Sequence, residues 1–216
     1  FDSILKEQHF FKKVYEFLQT EKRWKVYVVG GFVRDLLLHE ENKDIDLVVV
    51  GVNNANSGID FAKELAKFLN SNSVNYFENF GTANFLFDET EIEVVGARKE
   101  SYERGSRKPI VEDGTLFDDL SRRDFTFNAM AISLNVEDFG TLIDEFSGIV
   151  DLNNGIVRTP LNPDVTFSDD PLRMLRAIRF ATRFGFKIEE NTYNALSRNV
   201  NRLDIISSER IVIELN

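Results

Sequence analysis

The chain has 216 residues, 43% of them hydrophobic, and a net charge of −10; it contains no cysteine and only two histidines, His9 and His39. Such a length accommodates one large domain or two small ones, with enough apolar residues for a proper core. The composition excludes disulfides and thiolate zinc sites, argues against a histidine-built metal site or triad, and shows no membrane-length apolar run or signal-peptide pattern, so a soluble, cytoplasmic protein fits best. The acidic balance argues against broad, nonspecific nucleic-acid binding, although a local basic groove depends on placement rather than on the total. Phenylalanine, at 20 residues, is the expected filler of the core.

Residues 2–22 carry Ile4, Leu5, Phe10, Phe11, Val14, Phe17 and Leu18 at roughly helical spacing, which predicts a packing helix with His9 on its surface. An apolar run from Val26 to Val29 then meets Gly30-Gly31, a helical pattern follows (Phe32, Val33, Leu36, Leu37), and Asp44-Ile45-Asp46 opens a second apolar run. This reads as strand, glycine turn, helix, charged turn, strand. Two glycines at a helix start let a ligand approach the backbone and leave N–H groups for phosphate, with Arg34 in the first turn to add a guanidinium. Residues i and i+2 of a strand share a face, so Asp44 and Asp46 project together around Ile45. Two carboxylates so placed call for a cation between them, and Mg2+ is the usual one beside phosphates. A lone Gly-Gly is usually a turn and a lone Asp-x-Asp a solvated loop. Their joint spacing is more specific and points to nucleotidyl transfer by a two-metal mechanism.

G-G-x-V-R-D followed by D-I-D resembles the class II tRNA nucleotidyltransferase and bacterial poly(A) polymerase family, within the polymerase β superfamily. Two later stretches, R-R-D-F-T-x-N-A and S-D-D-P-L-R, match it in the same order, so the resemblance runs from about residue 25 to 215. It implies an α+β fold: a polymerase β-like head with a mixed or antiparallel sheet and flanking helices over residues 1–160, followed by an all-α neck over 161–216. The family carries further helical domains that grip RNA. Because this sequence stops inside a helical pattern, those domains are expected to be missing from it.

Next in the chain, a helix is predicted from Ser57-Gly58 to about Asn70, with Phe61, Leu65, Ala66, Phe68 and Leu69 as its apolar face. Short strands follow at 74–77, 83–87 and 92–95, the last two joined by a tight hairpin at Asp88–Glu91. Polymerase β-type sites take a third carboxylate from a neighbouring strand, which makes Glu93 a candidate; an outward-facing strand glutamate is the plain alternative. Residues 97–115 are polar, contain Arg98, Lys99, Arg104, Arg107 and Lys108, and read as a long mobile loop like the family's flexible loop beside the site. After a helical turn at Leu116–Leu120, the resemblance gives Arg123 to the triphosphate and Asp124 to a ribose hydroxyl. A small helix within 143–155 and a strand at 156–159 complete the head.

The 168–186 stretch reads as a helix with Ser168 as N-cap and Pro171 in the first turn. Arg173, Arg176, Arg179 and Arg183 fall in an arc of roughly 120° on a helical wheel, with no acid between them on that stripe. By resemblance, Asp170 and Arg173 read the base, and Arg176 and Arg179 add positive charge near the nucleotide. A carboxylate beside a guanidinium complements the exocyclic amine and ring acceptor of cytosine and adenine, and leaves unpaired groups against uracil and guanine. The family's common form has glutamate where this chain has Asp169. S-x-E-R-I-x-x-E-L at the end resembles the neck and is expected to pack.

Together these imply a template-independent RNA nucleotidyltransferase acting on the tRNA 3′ end with CTP and ATP and with Mg2+ as cofactor. A poly(A) polymerase or a partial CC- or A-adding enzyme shares the same motifs. A non-catalytic nucleotide- or RNA-binding module is the alternative from another class.

Overall fold

A computed structural model of the chain describes residues 1–42, 44–51, 57–71, 74–78, 81–101 and 110–215. Two compact units emerge: Phe1–Lys99 with Val111–Asp119 and Met130–Asp144, and Glu100–Ile110 with Leu120–Ala129 and Glu145–Asn216. The second unit thus takes in residues 120–129 and 145–160, ahead of the division expected near 160.

The first unit opens with two helices, α1 (Asp2–Glu7) and α2 (His9–Thr20), not one. Gln8 is extended (φ −84°, ψ 123°) and breaks the run between them. Strands β1 (Lys25–Val29), β2 (Asp44–Val50), β3 (Val74–Phe77), β4 (Thr82–Phe87), β5 (Thr90–Gly96), β8 (Ala131–Ser133) and β9 (Leu142–Ile143) form a seven-stranded sheet in the order β3-β4-β5-β2-β1-β8-β9. Within this sheet, among the described residues, β2 and β5 alone pair in parallel; β1–β2, β1–β8, β3–β4, β4–β5 and β8–β9 are antiparallel. This is the mixed sheet that the sequence implies. Helix α3 (Gly31–Leu37) joins β1 to β2, and α4 (Ser57–Phe68) packs on β2, β4 and β5.

Alternation along the strands sets the two faces. Ile45, Leu47, Phe85, Ile92 and Val94 are buried in the core with Phe61 and Leu65 of α4. Phe17, Trp24 and Phe61 meet as an edge-to-face and stacked cluster with ring centroids 5.4–6.4 Å apart, so aromatic packing does fill this core. The β4–β5 hairpin turns on Asp88 and Glu89, both left-handed (φ 47° and 66°). Left-handed backbone at both central residues matches the right-handed twist of the strands.

In the polar 97–115 stretch, β6 (Arg98–Ser101) and β7 (Ile110–Asp113) form a two-stranded sheet where a loop without regular structure is expected. Residues 102–109, including Arg104, Arg107 and Lys108, lie outside the described residues. Helix α5 (Leu116–Ser121) follows.

In the second unit, α6 (Gly148–Asn154) leads to β10 (Ile156–Val157), which pairs in parallel with β11 (Lys187–Ile188). Then come α7 (Pro163–Asp169), α8 (Leu172–Phe184), α9 (Glu190–Asn199) and α10 (Ser208–Leu215). Asn162 caps α7 by accepting from the Asp164 N–H at 2.9 Å, with Pro163 in its first turn. Ser168 therefore lies inside α7 and not at the start of α8; the side chain that accepts from the first turn of α8 is Asp170, from the Leu172 N–H at 3.2 Å. Phe167, Met174 and Ala195 make one buried cluster. Phe125, Phe127, Phe180, Phe184 and Phe186 make a second, with ring centroids 5.3–6.0 Å apart.

Candidate active site

The expected residues fall in two groups, one in each unit. In the first, β1 ends at Val29, whose register partner on β2 is Asp46. Gly30 turns the chain with φ 71° and ψ −132°, a conformation that side chains strongly disfavour, and its N–H donates to the Met130 carbonyl at 3.3 Å. Gly31 is different. A Cβ placed there would meet Arg34 Nη2 and Asn42 Nδ2 at 3.5 Å, ordinary contact distances. The chain's own packing demands glycine at 30 and tolerates a methyl at 31. The first-turn N–H groups of α3 have no carbonyl one turn back to receive them.

Asp44 and Asp46 share the face of β2 opposite the buried Ile45, as the strand period requires; Asp44 is exposed and Asp46 partly so. Across the parallel β2–β5 pair, Glu91 stands beside Asp44 and Glu93 beside Asp46. Register partners in adjacent strands project to the same side, so Glu93 joins the two aspartates on one face. Among the described residues no three acidic, histidine or cysteine side chains converge tightly enough to hold an ion alone. The donor set still suits Mg2+, which takes one or two carboxylates and completes its shell with water and substrate phosphates.

Arg34 has a duty that the spacing does not reveal. It is 6% exposed and forks onto Asp35, Nε to Oδ1 at 2.7 Å and Nη2 to Oδ2 at 2.8 Å. Asn42 donates to the same Asp35 carboxylate at 2.6 Å, and its own Oδ1 accepts from the Asp44 N–H at 2.8 Å. Arg34, Asp35 and Asn42 thus tie α3 to the first residue of β2. Asp35 and Asn42 were missed as contributors. Asp35 lies within the G-G-x-V-R-D stretch, and its adjacency to Arg34 is the signal that could have found it.

The second unit holds Arg123, Asp124, Asp170, Arg173, Arg176 and Arg179. Asp124 is 8% exposed, and its Oδ1 accepts from the Phe125 N–H at 2.8 Å and from Asn128 Nδ2 at 3.0 Å. Its Oδ2 takes Arg176 Nε at 2.7 Å. Burial opposes its ionisation, but the Arg176 charge and the Asn128 and Arg176 hydrogen bonds outweigh it, with help from Arg173, and hold the carboxyl below its ordinary value. For Arg176, burial opposes the charge, and Asp124, Glu214 and Asp170 outweigh it and raise its pKa further.

The arginine stripe of α8 is real, but it meets acids that a helical wheel cannot show. Glu214 of α10, 5% exposed, lies 3.7 Å from Arg176 Nη1 and 2.9 Å from Arg179 Nε. The second is an ion pair by distance without hydrogen-bond alignment, since both of its atoms lack a hydrogen-bond partner. Arg176 and Arg179 also lie 5.3 and 5.2 Å from the Phe180 ring, and Arg183 4.9 Å from the ring of Phe184. Asp170 and Arg173 are joined through backbone, the Arg173 N–H donating to the Asp170 carbonyl at 3.1 Å.

The poly A polymerase head domain family matches residues 26–158, and the probable RNA and SrmB-binding site of polymerase A matches residues 185–216. The A-adding tRNA nucleotidyltransferase of Aquifex aeolicus (strain VF5) is 48% identical over 177 residues, 82% of this chain and 20% of that protein. The CCA-adding enzyme of Ligilactobacillus salivarius (strain UCC118) is 38% identical over 208 residues, 94% of this chain and 48% of that protein. A crystal structure of a tRNA nucleotidyltransferase complexed with a primer tRNA and an incoming ATP analog superposes with a TM-score of 0.79 at 41% identity, over 94% of this chain and 54% of that one. The chain thus spans between about a fifth and a half of the length of these two relatives. Two matches in order, covering the glycine turn, the aspartate strand and the terminal helices, establish that the chain belongs to the poly A polymerase head domain family.

Proposed function

We propose that this chain is the catalytic part of a template-independent, cytoplasmic RNA nucleotidyltransferase that adds C, A or both to the 3′ end of tRNA from CTP and ATP. The observation that carries the reading is the β1–Gly30-Gly31–α3–β2 arrangement, in which Asp44 and Asp46 emerge on one face of β2 beside Glu93 and next to the glycine turn. Relatives that are 38–48% identical are named A-adding and CCA-adding enzymes, which supports the choice of substrate.

Each residue then has a task. Gly30 and Gly31 let the triphosphate approach the backbone, and the first-turn N–H groups of α3 face its charge. Asp44 and Asp46 would hold Mg2+, with Glu93 as a third oxygen donor; bound ions supply positive charge to the attacking hydroxyl and the departing pyrophosphate. Asp35 and Asn42 fix the backbone from which Asp44 projects. Arg34 and Arg123 would add guanidinium charge to the triphosphate. One lone pair of the Asp124 carboxylate would accept from the ribose, and Asp170 with Arg173 would select cytosine and adenine by donor–acceptor pattern. Arg176 and Arg179 hold positive charge close to the nucleotide. Positioning and charge stabilisation do most of the work.

The test uses tRNA lacking its terminal nucleotides, each of the four ribonucleoside triphosphates, and sequencing of the extended products. One to three added residues, C and A only, are expected. Long A tracts would move the assignment to a poly(A) polymerase, and extension by all four triphosphates would overturn the base-reading roles.

A further inference from the structure

The stripe of arginines on α8 is answered by α10. Helix α10 carries Arg210 and Glu214, four residues apart and therefore on one face, one turn from each other. Their charges are opposite, and so are the charges they meet. Glu214 reaches Arg176 and Arg179, while Arg210 Nη2 lies 3.8 Å from Asp170 Oδ2. The Asp170 carboxylate is thereby held from two sides, since its Oδ1 already accepts from the Leu172 N–H. Glu214 is buried, and burying a carboxylate is costly unless cations pair with it. Arg176 is itself shared, its Nε going to Asp124 and its Nη1 to Glu214.

We propose that α10 is a positioning helix for the nucleotide: Glu214 sets Arg176 and Arg179, and Arg210 sets the Asp170 carboxylate that reads the base. Neither residue needs to touch the nucleotide. The geometry separates their effects. Glu214 acts on two arginines that supply charge common to every triphosphate, so it governs affinity without regard to base. Arg210 acts on the one carboxylate that distinguishes an exocyclic amine from a carbonyl, so it governs ranking. Plain packing by α10 would couple the two instead, lowering stability and all affinities together.

This inference rests on the nucleotide-binding reading above, and the experiment keeps the two apart. Binding of CTP, ATP, UTP and GTP with Mg2+ is measured by calorimetry on the parent chain, Glu214→Gln, Glu214→Asp and Arg210→Met, alongside the thermal midpoint of each. Glu214→Gln is expected to weaken all four by about tenfold, the size of one charge-assisted contact, with their order unchanged, and Glu214→Asp to recover part of the loss. Arg210→Met is expected to keep CTP and ATP affinity within about twofold while narrowing their advantage over UTP and GTP. Arg210 is well exposed, so its variant carries the test even if Glu214→Gln fails to fold. Parent-like affinities and order in both folded variants would overturn the proposal, as would a ranking change in Glu214→Gln matched by none in Arg210→Met. A parent that binds none of the four removes the nucleotide reading itself, and the positioning roles fall with it.

Discussion

At the scale of single residues, the two adjacent glycines are unequal. Gly30 sits at φ 71° and ψ −132°, so any side chain there strains the backbone by about 1–3 kcal/mol. Gly31 has a normal backbone, and the nearest atoms to an added Cβ are 3.5 Å away. A methyl at 31 therefore costs the fold little, and under the proposed function the use of glycine there is to let the triphosphate lie against the backbone. Gly30→Ala is expected to lower the thermal midpoint. Gly31→Ala is expected to leave it nearly unchanged while weakening triphosphate binding by about tenfold or more. Equal stability losses in the two variants, with binding intact at 31, would contradict this account of the turn.

At the scale of elements, the Asp124–Arg176 pair ties the 3-10 turn Thr126–Asn128 region to the middle of α8. Separating such a pair leaves a buried charge behind, at a cost of about 3 kcal/mol. The Asp124 carboxyl is held below the ordinary value of about 3.9, so its stabilisation is complete at neutral pH and is lost as pH falls through that depressed value. Asp124→Asn should thus melt well below the parent at pH 7, and the gap should close as the two are compared below about pH 4. A gap that stays constant down to pH 3 would show that the pair contributes nothing through its charge. None of this was legible in the spacing. Arg176 finds its acids 52 positions earlier and 38 positions later, and a helical wheel reports only the residues of its own helix. What the sequence does show is short-ranged: the alternation of β2 around Ile45, the glycine turn, and the hairpin between β4 and β5. The break at Gln8 escaped because the apolar spacing continues across it. The β6–β7 pair escaped because its strands are four residues each and lie at the ends of a largely polar stretch.

At the scale of the whole molecule, an excess of ten negative charges coexists with a helix bearing four arginines. The structure reconciles these by pairing. Asp124 and Glu214 take up Arg176 and Arg179, while Asp44, Asp46 and Glu93 share one face of β2 and β5. The motifs make the family legible because each is a compact run of residues. Asn42, Arg210 and Glu214 act through neighbours distant in the chain or outside any motif, so coordinates bring them forward, whereas Asp35 is marked in the sequence by its place beside Arg34. The central claim is that Asp44 and Asp46 carry the chemistry, and it is tested most directly by the double variant Asp44→Ala/Asp46→Ala. The measurement is transfer of labelled CTP and ATP to a tRNA 3′ end, with the thermal midpoint recorded beside it. Asp44 is exposed and Asp46 partly exposed on the face of β2 opposite the buried Ile45, so the variant is expected to melt within a few degrees of the parent and to lose transfer by at least about a thousandfold, or roughly 4 kcal/mol of barrier. A folded double variant that still extends tRNA would contradict the account.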